Sequence, residues 1–132
     1  MNGWLDTSVI VRLITRQPEE LFQRASTSLK KAEVAGGTLF VHPVHVAEAV
    51  YVLGKVYSYE RAQVAHDLLT LLSIRVIEIE TATETQAALA LYGTTKLDFP
   101  DLFLAELARS TAQAVIAFDR DYRKLEVEWL EP

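Results

Sequence analysis

Residues 3–14 read GWLDTSVIVRLI, and the fold follows from how this stretch divides. Gly3-Trp4-Leu5-Asp6 reads as a short buried strand that ends in an acid. Thr7 and Ser8 then open a helix, because Val9, Ile10, Leu13 and Ile14 recur at helical spacing. A strand passing directly into a helix is the first unit of an alternating pattern, and the rest of the chain continues it.

Pro18 suits a first helical turn, Glu19 and Glu20 suit the positive end of a helix dipole, and Gly36-Gly37 stops that second helix. Residues 38–41 form a β-prone run closed by Pro43, and helices follow over about 44–55 and 59–72. Residues 74–79 (IRVIEI) alternate apolar with polar and read as a strand. Thr81 and Glu84 have capping-box spacing and begin a helix that ends near Gly93. Asp98-Phe-Pro-Asp101 starts the next helix, followed by a strand at 114–118, a helical turn at 120–125 and a strand at 127–130. Strands separated by helices predict an α/β fold in three layers, with a mostly parallel central sheet of about five strands flanked by helices. No repeat or linker interrupts residues 1–132, so a single domain is expected. In such sheets binding groups gather beyond the carboxyl ends of the strands, which directs attention to Asp6 and Asp119.

Composition narrows the chemistry. The 132 residues contain no cysteine, which removes disulfides, thiolate metal sites and cysteine nucleophiles together. No apolar run approaches the roughly 20 residues of a membrane span, and Asp6 arrives before a signal-like segment could form, so a cytoplasmic protein with no membrane partner is expected. The net charge of −5 counts against a simple nucleic-acid-binding module. Residues 12–31 nevertheless carry Arg12, Arg16, Arg24, Lys30 and Lys31 against Glu19 and Glu20. Carboxylates gathered around metal would lower the total charge without making the substrate face acidic.

Four acids stand out. Glu48 has Val44 four residues before it and Val52 four after, so its carboxylate is expected to interrupt an apolar helical stripe. The plainer alternative is a stripe edge from which Glu48 bends to solvent. Asp101 lies in the first turn of its helix, with Asp98 at the N-cap; ordinary helix-start chemistry accounts for Asp98 and competes for Asp101. Asp6 is equally a candidate N-cap, and Asp119 and Asp121 are candidate turn formers. Carboxylates that a fold brings together repel one another and stay charged only if cations neutralise them. Hard oxygen donors without cysteine indicate Mg²⁺ or Mn²⁺ and not zinc. His42, His45 and His66 lack zinc-site spacing and are given solvated or capping roles. There is no GxSxG elbow, Walker loop or GxGxxG.

Taken in order, Leu5-Asp6-Thr7-Ser8-Val9-Ile10, Glu48 within residues 46–50, Asp101 before residues 102–108, and Asp119 within residues 118–122 resemble the four acidic motifs of PIN domains. More narrowly, the chain resembles the small toxin ribonucleases of VapBC-type toxin–antitoxin pairs. The resemblance implies a PIN-like fold and metal-assisted hydrolysis of RNA. Asp6, Glu48, Asp101 and Asp119 would be both catalytic and metal-holding, with Thr7, Ser8 and Asp98 as auxiliary residues. Ser8 stands where the family often has Asn. The resemblance also implies an antitoxin protein and a homodimer. Arg12, Arg16, Lys96 and Arg120 are candidates for drawing in the RNA backbone, each with a solvated surface role as the alternative. Two other readings stand beside this one. One is a catalytically silent PIN-like module that binds RNA or protein. The other is a receiver-like signalling domain, disfavoured because Glu80 and not Asp follows IRVIEI.

Overall fold

A computed structural model describes residues 2–132. The chain runs β1 (Gly3–Trp4), α1 (Thr7–Thr15), α2 (Glu19–Val34), β2 (Leu39–Val41), α3 (Pro43–Lys55), α4 (Arg61–Leu72) and β3 (Ile77–Ile79). It continues through α5 (Ala82–Thr94), α6 (Phe99–Ser110), β4 (Val115–Ile116), a 3-10 turn (Arg120–Lys124) and β5 (Trp129–Leu130). This is the expected alternation of strands and helices. All strand pairings are parallel, with Gly3 opposite Leu39, Leu39 opposite Ile77 and Val115 opposite Trp129. Among the described residues the strands divide into a sheet ordered β1-β2-β3 and a pair β4-β5.

The local sequence explains the junctions. Asp6 caps α1, accepting from the Ser8 backbone N–H at 2.9 Å, so the carboxylate at the end of the first strand is also what starts the first helix. At the far end of α2, Gly36 takes a positive φ of 68°, and the Gly37 N–H returns to the Ala32 carbonyl at 2.8 Å. Pro18 precedes α2 as its N-cap, one residue earlier than its expected place in the first turn. Residues 74–76 are not strand. The Ile74 N–H bonds the Leu71 carbonyl and Ile77 bonds Ile74, because the chain must turn out of α4 before it can run parallel to β2. The expected capping box at α5 does not form. Thr81 sits at φ 56°, and its hydroxyl donates to the Glu80 carbonyl and not into the helix.

The main core joins Ile10 of α1, Val41 of β2, Val46 and Leu53 of α3, Leu68 of α4, Leu89 of α5, and Phe99 and Leu102 of α6. A second cluster holds Ala105, Ala108, Val115 and Tyr122. Helix α6 belongs to both, its first half in the main core and its second half against β4. The start of α6 packs in the main core, and the Tyr122 hydroxyl holds Asp101 beside the 3-10 turn.

Candidate carboxylate site

The carboxylates singled out in the sequence stand in two groups. The first is built by α1 and α3. Asp6 accepts from the Ser8 hydroxyl at 2.7 Å and from the Ser8 N–H. The hydroxyl bond and then the backbone bond hold the Asp6 carboxyl below its ordinary value, against a small opposing effect of burial. Ser8 therefore acts on Asp6 directly. His45 stands between the two carboxylates of this group. Its Nδ1 lies 2.8 Å from the buried Thr7 hydroxyl and 4.0 Å from both Asp6 Oδ1 and Glu48 Oε1. Asp6, Ser8, Arg12, Glu48 and Tyr57 line one cleft of about 270 Å³.

Glu48 corrects one expectation. Its side chain is 60% exposed, and Val44, four residues earlier, is 63% exposed. The buried face of α3 is Val46, Ala49, Val50 and Leu53, a separate 3–4 spacing. Glu48 interrupts no buried stripe; it lies on the open face of α3 and enters the cleft from there.

The second group is built by α6 and the 3-10 turn. The Tyr122 hydroxyl donates to Asp101 Oδ1 at 3.1 Å. Burial pushes the Asp101 carboxyl above its ordinary value; Tyr122 pulls it down, and repulsion from Asp119, Asp98 and Asp121 pushes it up again. Tyr122 is raised to about 12 by burial first and then by the charge of Asp101. The expected strand at 114–118 shortens to Val115–Ile116, so Asp119 lies three residues beyond β4, where it accepts from the Asp121 N–H at 2.9 Å and caps the 3-10 turn. Asp98 occupies the N-cap of α6, but its side chain makes no capping hydrogen bond.

The turn-forming and capping readings of Asp6 and Asp119 are thus correct, and they coexist with placement two residues beyond β1 and three beyond β4. Asp6 pairs with Glu48 around His45, and Asp101 faces the repulsion of Asp119. Among the described residues, no three His, Asp or Glu side chains converge where they could hold a metal ion.

Of the basic candidates, Arg12 Nη1 donates to the Tyr57 hydroxyl at 2.8 Å and lines the Asp6–Glu48 cleft. Arg16 packs over the Phe22 ring at 5.3 Å, while Lys96 and Arg120 are exposed. His42 caps α3, accepting from the Val44 N–H at 3.1 Å, as expected. His45, Tyr57 and Tyr122 are the residues that sequence reading missed. For His45 a signal existed, three residues before Glu48 on the same helix. Tyr122 is 21 residues from Asp101, and no local pattern links the two.

A family model described as PIN domain matches residues 4–128. The chain is 25% identical over 129 residues to the VapC ribonuclease of Aquifex aeolicus (strain VF5), spanning 97% of this chain and 95% of that protein. Among solved structures, it resembles one described as VapBC2 from Rickettsia felis bound to a DNA fragment from their promoter. That match has a TM-score of 0.42 and 18% identity, over 99% of this chain and 98% of the other.

Proposed function

Because the chain belongs to the PIN domain family, we propose that it is a metal-dependent endoribonuclease, the toxin of a type II toxin–antitoxin pair. The observation that carries this reading is the cleft in which Asp6 and Glu48, from different elements, flank one imidazole beside an arginine. The Aquifex aeolicus VapC ribonuclease, similar along nearly all of both chains, supports the nuclease reading.

Asp6, Glu48, Asp101 and Asp119 would hold Mg²⁺ or Mn²⁺, with Thr7, Ser8 and Asp98 in support. The donors are all hard oxygens, which suits these ions. Asp101 is raised chiefly by burial, and Asp119, Asp98 and Asp121 repel it as well; a cation would relieve that repulsion. Asp6 and Glu48 are 65% and 60% exposed, so their side chains can swing toward an ion without disturbing the core. When bound, such an ion acidifies water and offsets charge on the departing oxygen of a phosphodiester.

The chain's own residues prepare the site. Ser8 keeps Asp6 ionised, Tyr122 orients Asp101, and Thr7 holds the His45 ring between two carboxylates. Arg12 makes one hydrogen bond to a neutral hydroxyl and, among the described residues, has no carboxylate within 4.0 Å. Its remaining N–H groups suit a phosphate of the RNA backbone. An antitoxin partner, a homodimeric state and a cytoplasmic location belong to the same proposal. Among the described residues no helix is long and apolar enough to cross a membrane.

One observation favours a second reading, a catalytically silent PIN-like module: no three acidic or histidine side chains converge on a common point among the described residues. Titration with Mn²⁺ or Mg²⁺, followed by thermal unfolding, separates the two. The nuclease reading predicts a Tm that rises with the ion in the native protein and rises less in Asp6→Asn and Asp119→Asn. A native Tm indifferent to millimolar ion would favour the silent module.

A further inference from the structure

We propose that the cleft between α3 and the start of α6 is a nucleotide subsite, taking one base of single-stranded RNA against Tyr51 and its phosphate on Lys55. The proposal rests on the ribonuclease reading above and adds a place where substrate is gripped.

The cleft has a volume of about 550 Å³, and Tyr51, Gly54, Lys55, Tyr59, Tyr92 and Asp98 contribute to its lining. That volume is in the range of small-ligand sites. Its position ties it to both carboxylate groups. Tyr51 and Lys55 lie three and seven residues beyond Glu48 on α3, one and two turns along the same face. Asp98, on the other side, is three residues before Asp101. A strand whose phosphate reaches these carboxylates passes beside this cleft.

Three features suit a nucleotide. Tyr51 is 64% exposed, so its ring contributes little to the core and is free to receive a base. Stacking on an aromatic ring accepts any base and is a general means of holding single strands. Lys55 is exposed and, among the described residues, has no carboxylate within 4.0 Å, leaving its ammonium for phosphate. Arg61 is different: its Nε donates to the Tyr92 carbonyl at 3.0 Å and its guanidinium lies 3.7 Å over the Tyr92 ring, so it builds the wall.

Gly54 adds an independent argument. Glycine inside a helix costs stability relative to alanine. At position 54 φ is not positive, and among the described residues an added Cβ would meet only Tyr92 Oη at 3.7 Å, an ordinary contact. Neither backbone conformation nor packing requires glycine there. What a methyl group would occupy is the cleft.

The test uses a fluorescent single-stranded RNA oligonucleotide and protein carrying Asp6→Asn to suppress cleavage, with binding read by anisotropy. Adding Tyr51→Ala should weaken binding roughly tenfold, and Tyr51→Trp should restore it. Gly54→Ala should weaken binding while its Tm stays equal or rises. In protein with native Asp6, Gly54→Ala should raise KM with little change in kcat. Cleavage by the native protein with binding unaltered by both substitutions would overturn the subsite alone. Binding that depends on Tyr51 and Gly54 in a native protein that never cuts would keep the subsite and overturn the nuclease reading. Native protein that neither binds nor cuts RNA would overturn both.

Discussion

The Thr7 hydroxyl and His45 Nδ1 lie 2.8 Å apart, tying the first turn of α1 to α3 across 38 residues of sequence. Through this bond the Asp6 end of one helix and the Glu48 face of another share a fixed point. Thr7 is buried, so its hydroxyl has little access to water as an alternative partner. Thr7→Val keeps the shape and removes the bond. It should cost about 1–2 kcal/mol of stability, measured by urea unfolding, because the histidine loses its partner in a half-buried place. Thr7→Ser should recover part of that loss. A Thr7→Val protein as stable as the native one would show that the bond contributes nothing.

Asp101 gives a pH signature. Its carboxyl is raised, chiefly by burial, above the ordinary 3.8, so between that value and the folded pKa the native chain holds a proton that the unfolded chain has released. Stability from this group is full below the ordinary value and is lost as pH rises through the folded pKa. Asp6 runs the other way: its lowered carboxyl contributes stability above the ordinary value, lost as pH falls through the folded pKa. Asp101→Asn should therefore be at least as stable as the native protein at pH 7 in EDTA, and should lack the decline that begins above about pH 4. Tm measured across pH 3–8 checks this; a variant less stable at neutral pH would contradict it.

Thr85 is fully buried in α5, and among the described residues its hydroxyl has no hydrogen-bond partner. An unpartnered buried hydroxyl costs roughly 1–3 kcal/mol relative to an apolar group of the same shape. Thr85→Val should accordingly stabilise the fold by about 1 kcal/mol and raise Tm by a few degrees, with activity unchanged. A lower Tm would mean that the hydroxyl is satisfied in solution.

Much of the architecture was legible because short β-prone runs and helical periodicities alternate without interruption, and because Asp6, Pro43 and Gly36 mark their junctions. The acids at strand ends were legible for a related reason: a carboxylate that caps a helix directly after a strand is carried to the sheet edge by the same turn. Other features depended on packing. Val44 and Val52 look like a core stripe around Glu48, yet Val44 is exposed, since α3 buries the neighbouring face instead. Thr81 and Glu84 have the spacing of a capping box, but the left-handed backbone at Thr81 turns its hydroxyl back to Glu80. The Tyr122–Asp101 and Arg12–Tyr57 bonds join residues 21 and 45 positions apart and arise only when the elements dock.

The central claim is that these carboxylates cut RNA with the help of a divalent ion. Its most direct test is incubation of a mixed RNA pool with purified protein in Mg²⁺, in Mn²⁺ and in EDTA, beside Asp6→Asn. The account predicts cleavage with either ion, none in EDTA, and loss of cleavage in the variant while its fold persists. Cleavage by Asp6→Asn at the native rate, or cleavage undiminished in EDTA, would contradict it.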